Sequence, residues 1–326
     1  MRSESDLGKT VVITGGSGGL GFECARQLAE WKPKWRIILA SRDSSRTGEA
    51  VDRLKRDTKH PYIHGMSLNL ASMSSVRSFV EQYKAKDFPP LYGLVCNAGI
   101  QQVQSTARTE DGFELTFGVN HLGHFLLVQL LLPVLQPHAR IVVVSSDTHD
   151  PAKKTGMPAP RYLHPEDMAD PARSDLFLSD FQARRRGQVR YTTSKLCNLL
   201  HVYELHRRLN DSGSSLPERN ITVNAFNPGM MPGSGLARNY GPVAKFAWSR
   251  ILPLLRFIRP SIRTTQASGR ALARLIADES LHGVSGKYYD GYDEIASSEE
   301  SYDERKASEL WRWSAEAVGS DPNFPG

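Results

Sequence analysis

The chain has 326 residues, of which 40% are hydrophobic and 23% charged, a composition typical of folded globular proteins and not of disordered or fibrous ones. Its net charge of +6 comes from arginines spread along the chain without aromatic-interleaved basic motifs, which favours a solvated basic surface and no nucleic-acid partner. The three cysteines, Cys24, Cys96 and Cys197, are odd in number and lack metal-ligand spacing, so they support neither a disulfide framework nor a zinc site.

The N-terminal stretch MRSESDLGK is polar and leads directly into an apolar segment. We therefore expect no signal peptide and a cytoplasmic protein. The longest apolar run, FLLVQLLLPVL (125–135), is too short to cross a bilayer.

Short apolar segments rich in β-branched residues alternate with longer amphipathic segments. The predicted strands are 10–14, 36–40, 62–68, 92–97, 140–146 and 221–226. The predicted helices are 22–31, 73–85 and 123–135. This alternation is typical of an α/β fold, a doubly wound parallel sheet (Rossmann fold) with right-handed crossovers. Because no repeat or low-complexity linker interrupts the chain, we expect a single domain over residues 1–326.

Two regions interrupt the alternation. Residues 147–190 are rich in Pro, Asp and Arg, so we predict a long surface insertion there. Residues 233–262 mix apolar and basic side chains, and we expect a substrate-lid region. Within it, 245–258 is open to three interpretations: a lid over a lipophilic substrate, a peripheral contact with a membrane, or a helix packed on the core.

The turn after the first strand, TGGSGGLG (14–21), is rich in glycine. Gly15 permits a sharp turn, Gly19 lets the backbone approach a pyrophosphate, and Gly21 allows the next helix to pack closely on the strand. The helix N-terminus offers free N–H groups and a partial positive charge to the phosphates. Strand, turn and helix in this order predict a dinucleotide-binding site.

The end of the second strand selects between the two dinucleotides. NAD-binding chains usually carry an acidic residue there, which binds the ribose hydroxyls. Here Ser41 and Arg42 come first, and Asp43 follows one residue later. A hydroxyl and a guanidinium suit a 2′-phosphate, which an acid would repel, so we predict NADP. The alternative is a solvated Arg42 and a ribose contact from Asp43.

The stretch RYTTSKLCN (190–198) places Tyr191 one helical turn before Lys195. A lysine cation at this spacing favours the phenolate and lowers the tyrosine pKa from its ordinary value of about 10. A tyrosine tuned in this way can exchange a proton with a substrate oxygen near neutral pH. Cys197 lies on the same predicted helix without a visible base beside it, and we expect it to be a packing residue.

The chain resembles the short-chain dehydrogenase/reductase family over nearly its whole length. The motifs that carry the resemblance are TGGSGGLG, CNAG (96–99), VNHLGHF (119–125), VVVSS (142–146), Tyr191 with Lys195, and NPG (227–229). Within the family the chain is similar to the branch of retinol dehydrogenases, the WW-domain oxidoreductase and light-dependent protochlorophyllide reductase.

The resemblance implies a role for each of four catalytic residues. Tyr191 would be the acid/base, and Lys195 would tune it and hydrogen-bond the nicotinamide ribose. Ser146, the second serine of its pair after Ser145, would orient and polarise the substrate oxygen. Asn120 would anchor a water that links the lysine to solvent.

The resemblance also implies the cofactor contacts. They are Gly15, Ser17, Gly18, Gly19, Leu20, Gly21, Ser41, Arg42, Asn69, Leu70, Asn97, Ala98, Gly99, Tyr191, Lys195, Pro228 and Met231. Two positions depart from the family pattern. Gly233 occupies the place of a threonine that binds the carboxamide, with Ser234 one residue later. Met230 occupies the place of a cysteine in protochlorophyllide reductase, and a thioether cannot donate a proton.

The sequence therefore predicts an NADP-dependent oxidoreductase that interconverts a carbonyl and an alcohol on a bulky apolar small molecule. Two alternatives stay open: reduction of a tetrapyrrole double bond, and a protein that senses NADP without catalysis. His121, His124 and His149 lie near the motifs, and we expect them to be structural or substrate-lining, with no metal. The oligomeric state is left open.

Overall fold

A computed structural model describes residues 8–103, 106–211, 217–231 and 262–323. Its centre is an eight-stranded sheet in the order β3-β2-β1-β4-β5-β6-β7-β8, parallel except for the antiparallel last pair. The strands are β1 Thr10–Thr14, β2 Arg36–Ser41, β3 Ile63–Ser67, β4 Leu91–Cys96, β5 Leu135–Val144, β6 Thr222–Asn227, β7 Tyr288–Asp290 and β8 Asp293–Ile295. The predicted doubly wound α/β fold is confirmed.

Helices cover both faces of this sheet. The α-helices within the described ranges are α1 Gly19–Trp31, α2 Ser44–Thr58, α3 Met73–Lys84, α4 Leu115–Phe117, α5 Gly123–Leu131, α6 Pro165–Ala169, α7 Pro171–Phe177, α8 Ala183–Leu209, α9 Thr265–Ala277 and α10 Glu304–Ala317. A π-helical turn, Gly118–Leu122, joins α4 to α5.

Alternating side chains of the central strands supply two hydrophobic layers. Val12 faces the layer that includes α3, α5, α8 and α10, whereas Val11 and Ile13 face the layer of α1, α2 and α9. All five residues of β1 are buried, because a parallel strand covered on both faces must be apolar on both. Each fully buried Val or Ile contributes roughly 1.5–3 kcal/mol of transfer free energy.

The strand order reverses between β1 and β4, which are neighbours although β2 and β3 lie between them in sequence. Ligands of open α/β sheets bind at this point, outside the carboxyl ends of the strands. The glycine-rich turn follows β1, and Asn97 to Gly99 follow β4. The fold therefore brings these two predicted cofactor segments together.

The helical run Leu115–Val134 is long and apolar enough to cross a membrane by length and composition. It is longer than the apolar run 125–135 that the sequence draws attention to. Because 89% of its most apolar window is buried inside the protein, it is a helix of the core.

Two boundaries and one helix differ from the sequence predictions. The insertion predicted for 147–190 gives way to α8 at Ala183, since exposed arginines before Gly187 hide the helical period. β5 begins at Leu135, inside the predicted helix 123–135. α2 was not predicted, because its charged surface leaves only four buried residues, Thr47, Ala50, Val51 and Leu54. The lid prediction for 233–262 lies outside the described residues except for Ile262 at its end.

Candidate active site

The glycine-rich turn divides into a packed half and an open half. Gly15 has a φ of +66°, and a Cβ there would lie 3.0 Å from Asn97 Nδ2. At Gly21 a Cβ would lie 2.6 Å from the same atom. At Gly19, with φ +55°, nothing lies within 4 Å. The outer half thus presents open backbone, which fits a phosphate at the N-terminus of α1, while Leu20 is buried.

Hydrogen bonds from Thr14 close the inner half of the site. Its Oγ1 accepts the backbone N–H groups of Asn97 and Ala98, both at 2.9 Å. Because these fill its two lone pairs, its O–H is left to donate, and the acceptors within reach are His124 Nε2 at 2.9 Å and the Val95 carbonyl at 3.3 Å. His124 Nδ1–H then donates to the Asn120 carbonyl at 3.2 Å. Neutral His124 therefore links the end of β1 to the turn that carries Asn120.

The three residues at the end of β2 have different surroundings. The Asp43 carboxylate caps α2 by accepting the Arg46 backbone N–H at 3.0 Å. Ser41 Oγ accepts the Ser17 backbone N–H at 3.3 Å, which joins β2 to the glycine turn. Arg42 is exposed.

Arg46 is a candidate that the sequence did not single out. Its guanidinium is 4.0 Å from the place of a Cβ on Gly18, and it lines an open cleft of about 420 Å³ with Ser17, Gly18 and Gly19. The signal available in the sequence was its position in the first turn of a helix that follows β2. A guanidinium beside an exposed glycine turn suits a phosphate.

Asn69 and Leu70 follow β3 in the chain. Asn69 Nδ2 donates to Glu110 at 2.9 Å, and Asn69 Oδ1 accepts the Ala71 N–H at 3.1 Å. One lone pair of that oxygen remains for a ligand amino group. Leu70 is buried under Gly123, where a Cβ would lie 2.5 Å from the Leu70 carbonyl oxygen.

Tyr191 and Lys195 lie one turn apart on α8, as the spacing predicts. The Lys195 Nζ is 5.6 Å from the centre of the Tyr191 ring and donates to the Val144 carbonyl at 3.1 Å. Both side chains are buried, with exposed fractions of 4% for Lys195 and 7% for Tyr191. The pair is therefore desolvated, and the charge of the lysine acts on the tyrosine at short range.

Burial lowers the pKa of Lys195 to about 8, because no carboxylate offsets the loss of hydration. The ammonium is thus maintained near neutral pH and is lost as the pH rises past 8. A buried cation without an anionic partner is costly for the fold, which is typical of a functional site.

The two serines after β5, Ser145 and Ser146, make different hydrogen bonds. Ser145 Oγ donates to the Lys195 carbonyl at 2.7 Å and fixes α8 against the strand. Ser146 is half-buried, donates to Asp147 Oδ1 at 3.1 Å and accepts the Thr148 N–H at 3.3 Å. Ser145 is committed to the backbone, and the predicted contact of Ser146 with the substrate stays a prediction.

Asn120 is fully buried in the π-helical turn, a feature that is frequent at functional sites. Its Oδ1 accepts the Ile100 N–H at 2.8 Å, and its Nδ2 donates to the Ile100 carbonyl at 3.0 Å and to Ser194 Oγ at 2.9 Å. A Cβ on Gly99 would lie 3.4 Å from Asn120 Oδ1 and 3.6 Å from Lys195 Nζ. Gly99 thus separates the lysine from the asparagine by the smallest possible residue.

The other predicted contacts lie after β6. Pro228 is buried, and its carbonyl accepts the Ser268 hydroxyl at 2.6 Å. The Met231 side chain packs in the hydrophobic layer of α1, α2 and α9. Met230 pairs with Ile262 as a parallel β-bridge, so these two residues are neighbours in space although they are far apart in sequence. Gly233, Ser234 and 245–258 lie outside the described residues, and their roles stay predictions.

No group of three or more His, Cys, Asp or Glu side chains that could hold a metal occurs in the described ranges. His121 bonds Ser314 at 2.9 Å, and His149 bonds the Ser146 carbonyl at 2.5 Å, so both have structural partners. The thiol of Cys197 is buried, and burial raises its pKa, which makes it unreactive. The absence of a metal stays a prediction.

Comparison with known proteins gives one consistent result. A family model described as short chain dehydrogenase matches residues 9–156. The WW domain-containing oxidoreductase of Gallus gallus is 36% identical over 313 residues, which cover 95% of this chain and 68% of that protein. Protochlorophyllide reductase A of Triticum aestivum is 35% identical over 95% of this chain and 80% of its own length.

Polyprenol dehydrogenase of Danio rerio is 34% identical over 96% of this chain and 87% of that protein. Among solved structures, an uncharacterised protein from Mycobacterium paratuberculosis has a TM-score of 0.66 at 27% identity, covering 99% and 98% of the two chains. A blue fluorescent protein from a metagenomic library, solved with NADPH, has a TM-score of 0.60 at 21% identity over 88% of this chain and 98% of its own. The latter likeness concerns the fold.

Proposed function

The chain belongs to the short-chain dehydrogenase/reductase family, and from this premise we propose that it is an NADP-dependent oxidoreductase. The proposed reaction interconverts a carbonyl and an alcohol on a bulky apolar small molecule by hydride transfer. The observation that carries the proposal is the buried Lys195 ammonium beside the Tyr191 ring, 5.6 Å from its centre. A purely structural helix has no use for a cation buried in this way.

The residues present fit a dinucleotide, which when bound supplies the hydride. The open backbone of Gly18 and Gly19 would hold its phosphates at the N-terminus of α1. Arg46, together with Arg42, would hold a 2′-phosphate beside Ser41. Asp43 caps α2, whereas the hydroxyl of Ser41 and the guanidiniums of Arg42 and Arg46 suit a 2′-phosphate, and this supports NADP over NAD.

Each catalytic side chain has one task. Tyr191 donates its proton to the substrate oxygen in reduction and removes it in oxidation, a contribution of typically 100- to 10,000-fold in rate. Lys195 stabilises the phenolate by its charge, and Ser146 polarises the substrate oxygen. Asn120, whose side chain is held by Ile100, would anchor a water that links Lys195 to solvent.

Support for a bulky apolar substrate comes from the relatives and from the chain itself. One relative is named polyprenol dehydrogenase, which indicates a long apolar alcohol for that protein. Residues 233–262 of this chain are rich in aromatic and aliphatic side chains and begin close to Met231 after β6. A segment of this composition suits an apolar substrate.

Replacing Tyr191 tests the acid/base assignment. We expect Tyr191→Phe to lose at least 100-fold in turnover, because only the proton donor is removed, while NADPH binding measured by fluorescence is retained. Tyr203→Phe is the matched control: it lies on the same helix, and its hydroxyl bonds Ser297 at 2.7 Å. Full activity in Tyr191→Phe would contradict the proposal.

A screen of hydrophobic aldehydes, ketones and alcohols tests the reaction class. Oxidation and reduction are followed by NADPH absorbance, with NADH in parallel. We expect turnover with NADPH and with large apolar carbonyls. NADPH binding without turnover on any of them would instead indicate a protein that senses the nucleotide.

A second reaction, reduction of a tetrapyrrole double bond, is favoured by the relative named protochlorophyllide reductase A. Met230 weighs against it, since a thioether cannot supply a proton. Illuminating the protein with protochlorophyllide and NADPH distinguishes the two reactions. The appearance of chlorophyllide absorbance would favour the tetrapyrrole reaction.

A further inference from the structure

Beside Ser146 lies a carboxylate that the reaction as proposed does not use. Ser146 caps the short helix Asp147–His149, and its hydroxyl makes two hydrogen bonds there. It accepts the Thr148 backbone N–H at 3.3 Å and donates its proton to Asp147 Oδ1 at 3.1 Å. The side chain that should polarise the substrate oxygen is therefore already donating to an acid.

A hydroxyl has one proton and two lone pairs, so the bonds of Ser146 can be counted. The Thr148 N–H occupies one lone pair, and ionised Asp147 holds the only proton. What Ser146 can then offer a substrate is its second lone pair. A substrate oxygen that gains negative charge in the transition state needs a donor, and ionised Asp147 competes with it for the proton.

The surroundings of Asp147 shift its titration toward the neutral form. Burial raises the pKa of Asp147, and the charge of Asp290 at the end of β7 raises it further. Three groups oppose this and lower it: the Ser146 hydroxyl, the Arg263 guanidinium and the Lys153 ammonium. Arg263 is largely engaged elsewhere, because it donates to Asp290 Oδ1 at 2.5 Å.

Two further side chains, Tyr288 and His149, face this corner, and the Asp150 carboxylate of the same turn acts on both of them. The Tyr288 hydroxyl on β7 is buried and finds no hydrogen-bond partner among the described residues. His149 donates from Nδ1 to the Ser146 carbonyl at 2.5 Å and accepts the Ser298 N–H on Nε2 at 3.0 Å. With both ring nitrogens engaged in this way, His149 is neutral, and burial lowers its pKa.

We propose that Asp147 is a positioning residue that controls the single hydroxyl proton of Ser146, an inference that rests on the proposed carbonyl–alcohol reaction. When Asp147 is ionised, the Ser146 O–H points to the carboxylate. When Asp147 is protonated, its O–H donates to the free lone pair of Ser146 Oγ, and the Ser146 proton is released to the substrate oxygen. All bonds of the hydroxyl are then satisfied in the arrangement that catalysis requires.

The inference predicts how the rate depends on pH. Activity rises as the pH falls through the pKa of Asp147, because the neutral acid frees the Ser146 proton. At a fixed pH, oxidation and reduction change by the same factor, since both pass through one transition state. Loss of this control is expected when the carboxylate is replaced by an amide, which has no charge and can donate to Ser146 Oγ.

The experiment measures kcat/KM for the best aldehyde of the screen between pH 5 and 9. We expect Asp147→Asn to exceed the wild type by about tenfold at pH 8, the effect of one recovered hydrogen bond. Protonated Tyr191 makes reduction faster toward acid pH in both proteins, so the ratio of the variant to the wild type isolates Asp147, and this ratio should fall toward one as the pH is lowered. Asp150→Asn, a neutral change in the same turn whose side chain caps Ala152, should keep the wild-type profile.

A double substitution shows whether Asp147 acts through Ser146. In a Ser146→Ala background, Asp147→Asn should change neither the rate nor the profile. The inference is overturned if Asp147→Asn has the wild-type profile, is slower at pH 8, or acts equally without Ser146. If the wild type reduces no carbonyl, the proposed function itself fails, and this inference falls with it.

Discussion

Lys195 combines a proposed catalytic role with a cost to the fold. Burial lowers its pKa to about 8, so the unfolded chain binds a proton more readily than the folded chain between pH 8 and 10.5. Stability therefore rises with pH across this window. Below pH 8 the buried charge costs on the order of 3 kcal/mol.

We expect Lys195→Met to stabilise the protein by about 2 kcal/mol at pH 7 and to abolish turnover. The Val144 carbonyl keeps a partner, because Asn198 donates to it at 3.1 Å. Urea unfolding at pH 7 and 9.5 measures the gain, which should shrink at the higher pH. Exposed Lys86→Met serves as the control, and equal stability of Lys195→Met and wild type at pH 7 would count against the argument.

Arg46 favours NADPH over NADH if its guanidinium binds the 2′-phosphate. We expect Arg46→Ala to raise KM for NADPH about tenfold through loss of one charged contact and to leave KM for NADH nearly unchanged. Arg42→Ala run in parallel shows how the two arginines share the contact. Arg56→Ala, exposed on the same helix, is the control. Equal effects on both cofactors would argue against a phosphate contact.

At the scale of elements, two helices pack through glycine against the backbone of the segments that follow β3 and β4. α5 begins at Gly123, directly over Leu70, where a Cβ would be 2.5 Å from the carbonyl oxygen. In α8, a Cβ on Gly187 would lie 2.2 Å from the Gln102 carbonyl oxygen. These contacts set the spacing between the catalytic helix, the π-helical turn and the cofactor segments.

Gly123→Ala tests this close approach. Although alanine favours a helix, the clash with Leu70 should destabilise the protein by about 1–3 kcal/mol and weaken NADPH binding by moving the segment after β3. Gly48→Ala is the matched control, because Gly48 lies in α2 with nothing within 4 Å. That change should stabilise by about 0.5–1 kcal/mol. A stable Gly123→Ala with normal binding would refute the spacing argument.

At the scale of the whole molecule, buried histidines make the core sensitive to acid. Burial lowers the pKa of His124 to about 4 and of His201 to about 3, and that of His121 well below 6.5. The unfolded chain binds these protons first, so stability is lost as the pH falls below about 6.5. Each fully buried ring contributes on the order of 3 kcal/mol to this loss by pH 4.

His201→Phe isolates one of these contributions. Neither nitrogen of His201 has a hydrogen-bond partner among the described residues, and its ring stacks on Trp311 at 5.6 Å. Phenylalanine should therefore stabilise by about 1–2 kcal/mol at pH 7 and flatten the loss between pH 6.5 and 4. Unfolding curves across this range measure both, with exposed His282→Phe as the control. An unchanged slope would contradict the prediction.

Several features could be predicted from the sequence because they depend on residues that are neighbours in the chain. The six predicted strands were found, since buried parallel strands need runs of β-branched residues. The conformations of Gly15 and Gly19 followed from their place after β1, and the spacing of Tyr191 and Lys195 followed from the helical period. α2 escaped prediction because a helix exposed over most of its surface has too few apolar residues to show a period.

The sequence by itself determined the fold class, the family and the types of the site residues, because these depend on periodicity and on motifs of neighbouring residues. Only the tertiary structure decided how their hydroxyls and charges are used. It commits Ser145 to the backbone of α8, Asp43 to a helix cap and the Ser146 proton to Asp147. A lone pair or a proton is shared among groups that meet only after folding, so no local pattern records which partner holds it.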